Sequence, residues 1–467
     1  MISLIATAVC AGVILFLFVL QREPEIRTSK ALWIPTVWML ISASRPLSAW
    51  LQSEPLIPTA SQYVEGSPLE RLVLSVLMAA ALIVLLSRLQ RVIRILVANW
   101  PIILYFSYCA VSILWSDFPG VALKRWVRAS GDLMMILIVL TDRETLMALK
   151  RLFARVGFLL IPLSILLIEF YPGIGRMYSI EDMSTAITGV TTNKNTLGAL
   201  CLMIGLASVW RVVGLLRERS HVGRHFIAHG SIVVMAIWLL FMSDSSTSKA
   251  CFLLGLAVIV VLNFGGRQQA TKAHFVVGVI ACMALFIFVL PDAFASVVHA
   301  LGRSTTLTGR TRLWGIVLNM NTDPWIGTGF KSFWLGSRLE QVWSQVYFFP
   351  QQAHNGYLET YINLGWIGVA FLGLLLATGY RNVISAFRRD PAVGAFQLTF
   401  FVVVLAYNIT EAAFTMSDPL WLFLLLMIAF PPSICARDSQ KEIEVVDPEE
   451  LQEHQRSGRV YGYEEIA

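Results

Sequence analysis

Two side-chain types with chemical potential flank a polar interruption, residues 291–353, in an otherwise apolar chain. Gly309-Arg310-Thr311-Arg312-Leu313-Trp314 supplies two guanidinium groups, and His354-Asn355-Gly356 ends the interruption with an imidazole. A guanidinium forks onto phosphate oxygens, and a neutral imidazole with a pKa of about 6.5 can take a proton. Together they are the equipment for a phosphate-bearing, lipid-linked substrate beside a bilayer. Further cations join them. Arg125 and Arg128 lie one helical turn apart and share a face. Lys194 and Asn195 fall in Thr191-Thr192-Asn193-Lys194-Asn195-Thr196-Leu197-Gly198, where free N–H groups at a helix start favour an anion. The competing accounts are plain ones. An ordinary capped helix with a surface lysine has the same sequence, and these cations could snorkel or pair with Asp117, Glu169, Asp182, Asp244 or Glu411. A lone histidine is also more often structural than catalytic. The position of His354 at a membrane boundary, beside Asn355 and the arginine pair, favours function.

The elements that position these groups must be membrane helices. The 467 residues are 56% hydrophobic and 14% charged, with mean hydropathy +0.67, more apolar material than one soluble core can hide. Runs of about 20 apolar residues, long enough to cross a bilayer, recur throughout. The spans expected are 2–20, 31–51, 69–87, 93–115, 121–140, 152–170, 195–216, 226–242, 249–264, 274–290, 356–380, 393–411 and 418–436. The first lacks a basic leader and precedes a basic stretch, so it reads as a retained anchor, leaving about twelve spans if it were removed. With the N-terminus outside, alternate loops carrying Arg22, Arg27, Lys30, Arg88, Arg91, Arg94, Lys150, Arg151, Arg217, Arg388 and Arg389 face the cytoplasm. Those loops account for the net charge of +6, so no nucleic-acid partner is needed. The six cysteines are scattered through apolar segments without a C-x-x-C pair, and no D-x-D or H-x-x-x-H cluster on the outer side predicts a metal. Four regions follow: an N-terminal transmembrane bundle at 1–290, an outer catalytic segment at 291–355, C-terminal transmembrane helices at 356–436, and a polar, disordered cytoplasmic tail at 437–467.

The interruption also contains Asp323-Pro324-Trp325-Ile326-Gly327-Thr328-Gly329-Phe330, read as a tight turn and not as a dinucleotide fingerprint, because no strand precedes it and a third glycine is missing. With Gly309-Arg310, His354-Asn355-Gly356-Tyr357-Leu358-Glu359 and Gly365-Trp366-Ile367-Gly368, this region resembles the O-antigen ligase and polymerase superfamily. Trp115-Ser116-Asp117-Phe118-Pro119 and Thr192 to Gly198 look most like exopolysaccharide polymerases of the succinoglycan type.

The resemblance implies an all-α polytopic protein of the bacterial inner membrane, similar in architecture to GT-C-type lipid-dependent glycosyltransferases, with a helical periplasmic loop over a lateral cavity. It implies transfer of an oligosaccharide from undecaprenyl diphosphate to the hydroxyl of an acceptor glycan, without cofactor or metal. Other polysaccharide export proteins are admitted as partners. In that reading His354 is the base, Arg310 is catalytic, and Arg310, Arg312, Arg125, Arg128 and Lys194 hold the diphosphate, with Asn355 and Asn195 in support. Attack from behind the leaving group would invert the anomeric centre. The rival readings are an O-antigen ligase, whose acceptor is a lipid A core sugar, and a flippase that moves the lipid-linked glycan unchanged. A transporter would be expected to place polar groups near the midplane on a repeated pair of broken helices. No such repeat is visible.

Overall fold

The computed structural model describes residues 1–22, 28–51, 67–179, 184–218, 222–264, 271, 274, 277, 278, 306–320, 322–346 and 349–430. The expected span at 274–290 lies largely outside this set, as does the tail at 437–467. In chain order the principal helices are α1 (Ile2–Leu20), α2 (Trp33–Ser42), α3 (Pro68–Ser87), α4 (Leu89–Ala98), α5 (Trp100–Val111), α6 (Pro119–Leu140) and α7 (Thr145–Phe170). After a hairpin of β1 (Arg176–Ser179) and β2 (Ser184–Ile187) come α8 (Lys194–Glu218), α9 (Val222–Met242), α10 (Ser246–Phe264), α11 (Thr306–Leu318), α12 (Gly336–Trp343), α13 (Gly356–Arg389), α14 (Pro391–Tyr407) and α15 (Pro419–Ala429). The chain is thus an all-α, multi-spanning membrane protein, its one described sheet being the antiparallel hairpin that pairs Arg176 with Ile187.

Six described helices, α1, α3, α7, α8, α9 and α13, are long and apolar enough to cross a bilayer, or seven spans if α4 and α5 count as one. Shorter apolar helices occupy 30–42, 246–262, 391–407 and 419–429. The expected span at 121–140 is a helix, α6, but Lys124, Arg125, Arg128 and Asp132 interrupt its apolar character. The expected straight span at 93–115 is instead bent by 89° between α4 and the segment that follows. Pro101 cannot donate to the preceding turn, and Asn99 caps that turn itself by donating from Nδ2 to Ile95 O at 2.9 Å.

Local sequence explains several starts. Asp390 and Asp418 each accept from backbone N–H groups of the first turn, directly ahead of Pro391 and Pro419. All of α15 and most of α14 is buried, and these helices form the middle of the bundle against α13, α10 and α6. By contrast α1 exposes Leu4, Ile5, Leu15 and Val19, a surface suited to hydrocarbon and not to water.

The feature that shapes the end of the bundle around residues 323–367 is a break in α13. Gly365 has φ 65° and ψ −170°, and the turn at 323–329 inserts there. Gly329 N donates to Asn363 O at 2.9 Å, Trp366 N to Pro324 O at 2.9 Å and Ile367 N to Trp325 O at 3.1 Å, so the turn takes up bonds the interrupted helix has lost. A Cβ at Gly365 would stand 2.1 Å from Trp325 O. The turn expected at Gly327 and Gly329 is present, with φ of 66° and 91°. It is stapled by Asp323, whose Oδ1 accepts from Trp325 N and Ile326 N.

Candidate active site

Helix α11 buries Leu313, Trp314 and Val317 in a second, smaller core with Phe333, Trp334, Leu339, Leu358 and Ile409. Arg310 lies three, four and seven residues before those buried positions, so helical periodicity carries its side chain inward. Arg312 is on the other side and exposed. One spacing therefore gives the two arginines different environments.

Arg310 donates from Nη2 to Glu411 Oε1 at 2.7 Å and from Nη1 to the carbonyl of Thr410. Its Nε–H is buried with no partner among the described residues. His354 meets the other oxygen of the same carboxylate, with Nδ1 3.2 Å from Glu411 Oε2. Glu411 thus bridges the guanidinium and the imidazole, and its side chain is 5% exposed against 11% for Arg310 and 12% for His354. Burial opposes the charge of Glu411, but Arg310 and His354 outweigh it and hold the carboxyl below its usual range. Because a carboxylate can only accept, the proton on neutral His354 belongs on Nδ1, leaving the Nε2 lone pair available.

His354 is held from both sides along the chain. Trp314 donates from Nε1 to Ala353 O at 2.7 Å, and Ala353 N donates to Glu359 Oε2 at 3.0 Å. Asn355, the N-cap of α13, accepts from Tyr357 N and Leu358 N and donates from Nδ2 to Ile409 O at 3.1 Å. Gly356 N donates to Asn408 O at 2.8 Å. Glu359, 2% exposed, also receives Lys331 Nζ at 3.1 Å, Trp334 Nε1 at 2.9 Å and Asn363 Nδ2 at 3.2 Å. A buried carboxylate with this many donors is fully satisfied and fixes the loop that carries His354.

The loop at 408–418 collects the remaining elements. Arg128 of α6 donates from Nε to Ser417 Oγ at 2.7 Å, while Ser417 N donates to the buried Asp132 at 2.7 Å. Thr247 of α10 bonds Thr410 at 2.8 Å. Arg125 donates to the carbonyl of Lys331. Lys194 and Asn195 open α8, capped by Asn193, whose Oδ1 accepts from Thr196 N at 2.9 Å. Gly198, one turn further along, packs against Ser245 and Ser248. These positions therefore share one end of the bundle. Among the described residues, those other than glycine with positive φ are Asp244, Lys331, Phe349, His354 and Ser417, all in loops at this end. Strain of this kind, roughly 1–3 kcal/mol each, persists where surrounding contacts over-determine it.

Of the expected site residues, the structure joins Arg310 and His354 through Glu411 and ties in Asn355. Arg125 and Arg128 reach adjoining loops, Lys194 and Asn195 stand at the start of α8, and Arg312 faces outward. The plain pairing account also holds in places, for Arg310 with Glu411 and for Lys249 with Asp244 at 2.9 Å. Sequence reading missed Glu411 as a bridge and Glu359 as a node. The available signal was an acid closing the long apolar run at 393–411, since ionisable groups at membrane depth are functional candidates. Arg45 was missed too. It is 4% exposed and donates from Nη2 to the carbonyls of Ile174, Gly189 and Thr191, fixing the approach to α8.

Residues 231–373, which include Arg310, Arg312, His354, Asn355 and Glu359, match the family model described as O-antigen ligase. The chain is also similar to the "Exopolysaccharide production protein ExoQ" of Rhizobium meliloti (strain 1021), with 24% identity over 299 residues, 61% of this chain and 66% of that protein. The chain thus spans a little under two thirds of that relative's length. With the matched segment holding the guanidinium and the imidazole, and membrane helices on either side of it, the chain is similar over this region to the O-antigen ligase and Wzy-type exopolysaccharide polymerase superfamily.

Proposed function

We propose that this protein is a polysaccharide polymerase that transfers an oligosaccharide from undecaprenyl diphosphate to a hydroxyl of an acceptor glycan, at the outer face of the bacterial inner membrane. The observation that carries the reading is the sharing of Glu411 by Arg310 and His354. With Nδ1–H directed at Glu411, His354 Nε2 takes the proton of the acceptor hydroxyl as its oxygen bonds to the anomeric carbon. The bond from that carbon to the diphosphate breaks, and its electron pair leaves on the diphosphate oxygen. Glu411 stabilises the imidazolium that forms, as a carboxylate behind a catalytic histidine does elsewhere. General-base assistance of this kind contributes about 10²–10⁴-fold.

The diphosphate is already a good leaving group, so no general acid or metal is required. Its charge is met by the unpartnered Nε–H of Arg310, by the exposed Arg312, and by Arg125, Arg128 and Lys194 from the same end of the bundle. Asn355 keeps the His354 loop in register, and Asn195 supports the start of α8. If the base and the cations flank the sugar, attack occurs behind the leaving group and the anomeric configuration inverts. The outer segment at 291–355 is the catalytic unit in this reading.

A ligase acting on a lipid A core sugar is the second reading, favoured by the description of the matched family as an O-antigen ligase. Incubation of purified protein with an undecaprenyl-diphosphate-linked repeat unit separates the possibilities. Lengthened glycan with released undecaprenyl diphosphate is the expected result. Transfer only when a lipid A core is supplied would make it a ligase, and donor left unchanged under both conditions would leave transport.

A further inference from the structure

A second polar site lies at the opposite end of the bundle, where α3 meets α4 and α6 meets α7. Helix α4 is bent 89° from the segment that follows it. Along it Leu89, Ile93 and Val97, spaced four residues apart, are 48%, 50% and 65% exposed, while Val92 and Ile95 are buried. Arg91 and Arg94 lie between these faces. A short helix with an exposed apolar stripe beside cations, set across the end of a span, has the form of an interfacial helix with its stripe in the acyl-chain boundary.

Beside it is a recess of about 910 Å³ whose lining includes Ser29, Arg88, Arg91, Arg94, Thr141 and Arg143. Among the described residues no acidic side chain lines it and none of these arginines forms an ion pair. Arg88 is spent on structure, donating to Ser29 Oγ at 2.8 Å and to Ile138 O and Thr141 Oγ1, each at 3.3 Å. The nearby Asp142 is buried, and its oxygens already accept from Ser29 N and Glu144 N. Arg91, Arg94 and Arg143 are exposed. Leu82, Ile83 and Leu86 on α3 expose apolar surface next to the recess. Helix α6 separates this site from the other, since Arg128 and Thr141 are 13 residues, or about 20 Å, apart along it.

We propose that this recess binds the phosphodiester headgroup of an anionic phospholipid, with Arg91, Arg94 and Arg143 meeting the phosphate and the exposed faces of α3 and α4 meeting the acyl chains. A water-soluble phosphate would use the same guanidinium groups, but it would leave the apolar stripe unexplained. Basic pockets beside membrane helices at the level of the headgroups commonly act in this way.

The test is native mass spectrometry of the purified full chain titrated with phosphatidylglycerol or phosphatidylcholine of the same acyl length. Phosphatidylglycerol is expected to be retained at a concentration at least tenfold lower. Arg91→Gln with Arg94→Gln and Arg143→Gln together should bring the two lipids within twofold, with little change in melting temperature, because Arg88 is left in place and Arg91 gives up only its 3.3 Å bond to Thr141 O. Each single change should weaken phosphatidylglycerol binding by about fivefold, and these singles carry the test if the triple variant fails to fold. Equal retention of both lipids by the unaltered protein, or a preference that survives the substitutions, overturns the proposal. So does displacement of phosphatidylglycerol by millimolar inorganic phosphate, which would reassign the recess to a soluble ligand.

Discussion

Replacing Glu411 by Gln is the most informative single change, because it keeps the shape of the side chain and removes the charge that joins Arg310 to His354. In the native site the two carboxylate oxygens stand 2.7 Å from Arg310 Nη2 and 3.2 Å from His354 Nδ1. Glutamine can offer only one acceptor oxygen. If that oxygen faces Arg310, the amide NH₂ faces Nδ1, which must then accept, and the imidazole proton moves to Nε2, the nitrogen that should be the base. If the oxygen faces His354, the correct tautomer survives, but the amide opposes Arg310 and the imidazolium loses its counter-charge. A charge-assisted hydrogen bond is worth about 1.5–3 kcal/mol, which as lost transition-state stabilisation lowers kcat about 10- to 150-fold. The wrong tautomer costs more, up to about 10⁴-fold where an analogous carboxylate-to-amide change has been made. The expected outcome is therefore a fall in kcat of about 10–10⁴-fold, with donor binding retained. The assay is release of undecaprenyl diphosphate under saturating donor, alongside a donor-binding isotherm on the same preparation and a melting curve to confirm folding. A variant that folds and keeps kcat within about threefold would refute the role given to Glu411 and, with it, the orientation given to His354.

Other substitutions test the neighbouring assignments. His354→Ala should lower chain growth by about 10²–10⁴-fold while donor still binds, measured by glycan length on gels and by lipid-donor binding; undiminished polymer would remove His354 as the base. Arg310→Lys keeps a charge for Glu411 but cannot also hold Thr410 O and offer Nε–H, so donor affinity and turnover should both fall at least tenfold. Arg312→Ala, on the exposed side of α11, should cost less than Arg310→Lys in the same isotherm. Gly365→Ala puts a Cβ 2.1 Å from Trp325 O at a residue with φ 65°, so the turn at 323–329 should undock, lowering the melting temperature and the yield of folded protein.

Legibility in the sequence divided along the line between local and tertiary causes. The apolar runs, the turn at Gly327 and Gly329, and the motifs that single out Arg310 and His354 all follow from neighbours in the chain. The partner of Arg310 does not, because Glu411 is 101 residues away and no periodicity links them. It stood only as one of several acids with which a cation could pair. Glu359 was quoted as part of a motif without a role, since its importance comes from Lys331, Trp334 and Asn363 folding onto it. The break in α13 was hidden because hydropathy continues across Gly365, and the bend between α4 and α5 because Asn99 and Pro101 sit inside one apolar run. Helix α6 shows the same division, since its sequence marks Arg125 and Arg128 on one face but gives no local sign of Asp132, which accepts from Ser417 N beside the Arg128 bond to Ser417 Oγ.

The central claim is that Arg310 and His354 act on one pyrophosphoryl sugar, and a structure of the full-length protein in lipid with a non-transferable undecaprenyl-diphosphate oligosaccharide bound tests it most directly. The account predicts a phosphate oxygen within hydrogen-bonding distance of the Arg310 guanidinium, and His354 Nε2 facing the anomeric carbon from the side opposite the diphosphate, with Nδ1 still on Glu411. A donor whose diphosphate lies away from Arg310, or whose anomeric carbon is out of reach of His354, would contradict it.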